Sequence, residues 1–175
     1  MERRRFIATT ALGLPLLGSS ALFLPRRSGA HEPMTPVKPS QLQPDLVKEF
    51  VRVGHNNLPE VQRMLKERPG LLNASWDVGG GDFETALEGA GHVGDREIAE
   101  YLIGQGARAN IFVLTMLGHS AVVKAQLAAY PHLLRSKGPH GLTLLHHATR
   151  EGEPPKELLE HIQELGLTEM KYPLP

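Results

Sequence analysis

The chain has 175 residues, 41% of them hydrophobic and 22% charged, with 19 basic residues balancing 19 acidic ones. That is long enough for one domain with its own core, and the composition fits neither a disordered nor a collagen-like chain. The absence of cysteine excludes disulfides, thiolate nucleophiles, cysteine-bound zinc, iron–sulfur clusters and covalently attached c-type haem.

Residues 1–30 read as an export signal. Met1 to Arg5 is basic, Phe6 to Leu24 is mildly apolar, and Ser28-Gly29-Ala30 offers the small residues of a cleavage site. Arg3, Arg4 and Phe6 resemble the twin-arginine pattern, in which an arginine pair is followed by any residue, Phe and an apolar residue. Thr9, Thr10, Gly13, Pro15 and Gly18 dilute the apolar run, which suits such a signal better than a membrane anchor, the alternative. The expected destination is the periplasm or cell envelope, with membrane contact only through the signal before its removal. Cleavage after Ala30 leaves 14 basic and 18 acidic residues, a net charge of −4. An acidic chain with no basic stripe is a poor match for nucleic acid.

Pro33, Pro36, Pro39 and Pro44 make residues 31–44 an extended tether. Folded sequence is expected over 45–170, followed by a short tail at 171–175. Asp45 is positioned to cap a helix carrying Leu46, Val47, Phe50 and Val51 on one face.

Helix-start segments then recur at Asn56, Gly94, Gly118 and, more loosely, Gly152, at intervals of 38, 24 and 34 residues. Asn57 with Glu60, Asp95, and Ser120 supply cap chemistry. Behind each start runs one apolar stripe: Val61, Met64 and Leu65, then Ile98, Leu102 and Ile103, then Val122, Val123 and Leu127, then Leu158, Leu159 and Ile162. The mean interval of 32 is close to the 33-residue ankyrin spacing. Thr85 to Asn110 resembles one ankyrin unit without a gap, and Gly141-Leu142-Thr143-Leu144-Leu145-His146-His147-Ala148 resembles the start of another. Ala86 and Leu144 stand in place of the usual Pro, Glu88 in place of His, and Arg108 in place of a common Asp.

The resemblance implies an all-α ankyrin-repeat solenoid of about four helix-turn-helix units joined by short β-turn fingers. The 24-residue step has no room for a finger after Asn110, whereas Trp76 to Glu84, with Gly79, Gly80 and Gly81, makes an unusually long one. Such proteins bind through fingertips and the concave inner-helix face. By position, that surface takes in Trp76, Asp77, Asp82 and Phe83 on one finger, Lys137 and His140 on another, and Gly89, His92, His147 and Arg150 on inner helices. The function expected is non-catalytic: a monomeric scaffold for a protein partner, without a cofactor.

Gly89-Ala90-Gly91-His92-Val93-Gly94 fits G-x-G-x-x-G, but the segment upstream reads as glycine-rich turn and no acidic residue follows near 114, so it does not read as a dinucleotide site. There is no G-x-S-x-G elbow. Of the nine histidines, His140, His146 and His147 lie closest in sequence, with His92 and His119 placed to line the same side; no HExxH spacing appears. His146 holds the repeat's structural position and His147 a surface-facing one. Asp77, Asp82 and Glu84 make an acidic group suited to a cation or to a basic partner, or to solvated turn chemistry. The alternative function is therefore a metal-binding protein or hydrolase using the His140–His147 segment with this acidic finger.

Overall fold

A computed structural model describes residues 40–150 and 156–174. The export signal, with Arg3, Arg4 and Phe6, and the tether through Pro39 lie outside the described residues. Within these limits the chain is mostly helical: α1 (Pro44–Val53), α2 (Leu58–Glu67), α3 (Ala86–Val93), α4 (Arg96–Gly104), α5 (Ile111–Met116), α6 (Ser120–Ala129), α7 (Leu144–Ala148) and α8 (Lys156–Glu164). Strands β1 (Ser75–Asp77) and β2 (Phe83–Thr85) form an antiparallel hairpin pairing Trp76 with Glu84.

Local chemistry sets most boundaries. Pro44 occupies the first turn of α1, where a missing N–H costs nothing, so Asp45 sits inside that turn instead of capping it. Asn57 accepts from the Glu60 amide and Asp95 from the Ile98 amide. Thr85 and Glu88 complete a reciprocal capping box at α3. The cap expected of Ser120 is not made, because its hydroxyl turns back to the Gly118 carbonyl. Gly94 ends α3 in the left-handed conformation, φ 87°, as its position after an amphipathic run predicts. Pro69–Asn73 and Pro131–Arg135 each form a 3₁₀ segment, burying Leu71 and Leu134.

Consecutive helices pair, α1 with α2, α3 with α4, α5 with α6 and α7 with α8, while α3 packs on α1 and α5, and α5 on α7. The apolar stripes thereby merge into two clusters that meet at α5. Val113 and Met116 join the first, with Phe50, Leu87 and Leu102; Ile111 and Phe112 join the second, with Leu144, Leu158 and Ile162.

His147 differs from its expected surface position. It is 1% exposed, with Nδ1 donating to the Thr143 carbonyl at 2.8 Å. Burial pushes this imidazole down to about 4, against 6.5 for a free side chain. Between those values the unfolded chain binds a proton that the fold refuses. Stability contributed by neutral His147 is complete above pH 6.5 and falls with pH toward 4, by about 3 kcal/mol at the foot of the window. We predict that His147→Gln flattens this dependence in denaturant titrations between pH 7 and pH 4.5; an unchanged slope would remove His147 as its source.

Candidate metal centre

The site is built from the turn after α1, strand β2, the last turn of α3 and the loop before α7. Gly54 makes the first approach possible, because a Cβ there would lie 2.7 Å from Ala86 Cα, Cβ and O. The next residue, His55, is thereby set against the start of α3. Its ring occupies space left by Gly89, where a Cβ would come within 2.9 Å of Cε1 and Nδ1. His55 Nδ1 donates to the Val51 carbonyl at 3.0 Å, leaving Nε2 as an unprotonated acceptor in the neutral ring.

Strand alternation supplies the carboxylate. In β2, Phe83 points outward, 59% exposed, and Glu84 points inward, with a side chain only 3% exposed. Asp82, just before the strand, also turns inward. Its two oxygens accept the His140 backbone N–H at 3.0 and 3.1 Å, and Oδ2 accepts from His140 Nδ1 at 3.0 Å. His140 holds φ 61°, a left-handed conformation that costs a residue with a Cβ about 1–2 kcal/mol. Asp82 grips that conformation from both the backbone and the ring. The loop is fixed from its other side by an antiparallel bridge between Leu142 and Lys171 and by the Tyr172 N–H donating to the Gly141 carbonyl. His92 completes the group from α3, and its carbonyl lies 3.0 Å from His146 Nε2 on α7.

These supports converge four donors: Nε2 of His55, His92 and His140 and Oε1 of Glu84, all within 4.8 Å of one another. Glu84 Oε1 lies 2.8 Å from His92 Nε2, 3.5 Å from His140 Nε2 and 3.6 Å from His55 Nε2, and the His55 and His92 nitrogens are 3.0 Å apart. The rings stand edge to face, at 76° for His55 with His92 and 89° for His92 with His140. Yet Glu84 Oε1 is buried with no hydrogen bond of acceptable geometry. Val51 and Asp82 hold the protons of two rings on Nδ1, so lone pairs face a carboxylate oxygen; supporting partners of this kind orient metal-ligating histidines. Bond lengths of about 2.0–2.2 Å to nitrogen and oxygen ligands place one cation within reach of such a set.

No protein-family model and no curated protein matches this sequence. Among the described residues, no helix is long and apolar enough to cross a membrane.

Of the residues predicted from sequence, the structure brings His92, His140 and Asp82 together. His92 and His140 are donors, and Asp82 is the support behind His140. Phe83 is exposed on the finger, while Trp76 is half-buried against the first core cluster with Lys48 Nζ 5.7 Å from its ring centroid. Asp77 caps its own fingertip, accepting from the Gly79 and Gly81 amides. Lys137 donates to the Pro173 carbonyl, and Arg150 Nε lies 3.0 Å from His146 Nε2. His146 Nε2 lies 3.0 Å from the His92 carbonyl oxygen on α3. His119 precedes α6 and is not among the four donors.

The donor missed by sequence reasoning is His55. With Asn57 and Asp95 as equivalent caps, His55 and His92 fall at nearly the same point of two helix pairs, close to the end of the helix before the cap. The packing of α3 on α1 brings these positions side by side. We predict that Gly89→Ala, by pushing the His55 ring away, weakens Zn²⁺ binding ~10-fold or more while the far-ultraviolet circular dichroism stays helical. Undiminished binding would show that His55 is not a ligand.

Proposed function

We propose that this protein binds one divalent first-row transition metal ion through His55, Glu84, His92 and His140. The observation that carries the reading is Glu84 Oε1, an orphaned carboxylate oxygen in a 3% exposed side chain, with three imidazole nitrogens converging on it. An ionised carboxylate out of water costs several kcal/mol unless it is paired or coordinated. A cation among these donors removes that cost and the lone-pair repulsion together. Three imidazoles suit zinc, copper, iron or nickel, whereas calcium and magnesium favour all-oxygen sites.

The scaffold for this ion is, in our reading, a four-unit ankyrin-like stack. The four helix pairs, with α3 and α5 linking α1 to α7, support that arrangement. Export through the twin-arginine-type signal places it in the periplasm or envelope; the support is the Arg3, Arg4 and Phe6 pattern. Equilibration of the purified full chain with Zn²⁺, removal of unbound ion and elemental analysis should give one ion per chain. Glu84→Gln and His92→Ala should weaken binding by more than the roughly 10–100-fold typical of losing a supporting partner. Non-stoichiometric binding, or equal binding by both folded variants, would defeat the assignment.

A second reading, recognition of a protein partner by the finger, draws on a different observation. Phe83 and Val78 are 59% and 49% exposed on the hairpin, beside a groove of about 310 Å³ lined by Phe83, Phe112, Lys137 and Leu174. Clustered apolar exposure around an aromatic suits an interface anchor. On this reading Phe83→Ser abolishes retention of an envelope partner by the immobilised chain while Zn²⁺ stoichiometry stays at one; retention equal to wild type would remove Phe83 from the interface.

A further inference from the structure

The segment after α8 supplies none of the four donors, yet it runs beside the loop that carries His140. Beyond the fully buried Leu167, residues 170–172 lie antiparallel to residues 141–143. The Thr143 N–H donates to the Met170 carbonyl at 3.1 Å and the Tyr172 N–H to the Gly141 carbonyl at 2.8 Å, one on each side of the Leu142–Lys171 bridge. Two side chains lengthen this seam. Thr143 Oγ1 donates to the Glu169 carbonyl at 2.6 Å, and Lys137 Nζ to the Pro173 carbonyl at 2.8 Å. Gly141 is fitted to the seam: it holds φ 74°, and a Cβ there would collide with the Tyr172 carbonyl oxygen, so the two backbones meet as closely as only glycine permits.

His140 sits between these ties, with Lys137 before it and residues 141–143 after it. Inside the loop, the Gly138 N–H donates to the Leu142 carbonyl and the Gly141 N–H to the Gly138 carbonyl. Those bonds shape the turn without locating it. Location comes from Phe112, whose ring would lie 3.2 Å from a Cβ at Gly138, from Asp82, and from the seam with residues 169–173. Asp82 belongs to a two-stranded hairpin, which has little stability of its own. The other three donors come from α3, from β2 and from the turn after α1, elements that pack on one another. His140 alone reaches the group from the loop before α7, so its placement is the one that their packing does not settle.

We propose that residues 169–173 are a positioning strap: by clamping Lys137 and residues 141–143 they hold His140 Nε2 within reach of an ion bound through His55, Glu84 and His92. This inference rests on the metal-binding reading above.

Tyr172→Pro in the full chain is the direct test, because the ring removes the N–H that bonds Gly141 and puts bulk in its place. Two quantities are measured on chains shown to be helical by circular dichroism. One is Zn²⁺ affinity by chelator competition. The other is the response to Zn²⁺ of the His55, His92 and His140 Cε1–H nuclear magnetic resonance signals, each assigned by its absence from the metal-free substituted chain. The expected result is binding weakened ~10-fold or more, the cost typical of losing a supporting partner. The His140 signal should shift with Zn²⁺ in wild type and no longer in the variant, while the His55 and His92 signals shift in both. Should Tyr172→Pro not fold, Lys137→Met, which removes only the Pro173 tie, should give a smaller loss confined to the same signal. Wild-type affinity with a wild-type His140 response in the folded variant would overturn the strap and leave the metal site standing. So would equal loss of all three responses, which marks general loosening. Absence of any response in the wild-type chain would overturn the metal-binding reading as well.

Discussion

The site depends on a carboxylate placed where water does not reach it. Glu84 is carried inward by the two-residue period of β2, and three imidazole nitrogens lie within 3.6 Å of its Oε1. In the neutral ring two of those nitrogens are acceptors, because hydrogen bonds made elsewhere hold the single proton on Nδ1. Val51 and Asp82 fix the protons of His55 and His140 on Nδ1, so the carboxylate meets lone pairs. His92 alone has freedom to place a proton on its inward nitrogen, and that nitrogen faces both His55 Nε2 and Glu84 Oε1. A single proton does not satisfy this arrangement, because it can bridge only one of the two contacts at a time. A divalent ion addresses all of the donors at once.

Much of the surrounding construction serves closeness. Gly54 lets the turn after α1 press against Ala86, and Gly89 leaves room for a ring one helical turn further on. Neither glycine is required by φ at these positions; both are required by contact, and the contact in each case positions His55. The opposite wall is held by strain balanced with hydrogen bonds, since His140 keeps a left-handed backbone that two Asp82 oxygens secure. These are different routes to one result, side chains whose rotamers are settled before any ligand arrives, which is what an affine metal site requires.

Helix positions were largely legible in the sequence, because caps and apolar periodicity are local. Asn57, Asp95 and Gly94 each carry boundary chemistry within four residues. The failures are non-local. Asp45 falls inside the first turn behind Pro44, and Ser120 turned back to Gly118. His147 reads as a surface residue from its repeat position, yet it lies beside Phe112, whose ring centroid is 5.2 Å from its own. The site was legible in pieces: the acidic finger was visible as a possible cation ligand, and His92 and His140 as residues facing one side. Their union was not, because it requires His55, 37 residues before His92 in the chain, and no local motif marks so distant a partner. Histidine spacing in sequence favoured His140, His146 and His147, which the fold separates: His146 and His147 bond backbone carbonyls, and only His140 reaches Glu84.

The finger therefore has two faces with different chemistry, imposed by strand alternation. Glu84 looks into the histidine cluster, while Phe83, one residue earlier, looks into solvent. The preceding residue, Asp82, ties the same hairpin to the His140 loop. A short two-stranded hairpin has little stability of its own, so its order comes from what the inward residues hold. Ordering of the inner face and presentation of the outer aromatic are thus mechanically linked through three consecutive residues. A cluster joining His55, Glu84, His92 and His140 also ties together segments up to 85 residues apart. An ion there would cross-link those segments at the base of the hairpin, which is why the metal-binding and partner-binding readings of the hairpin are complementary.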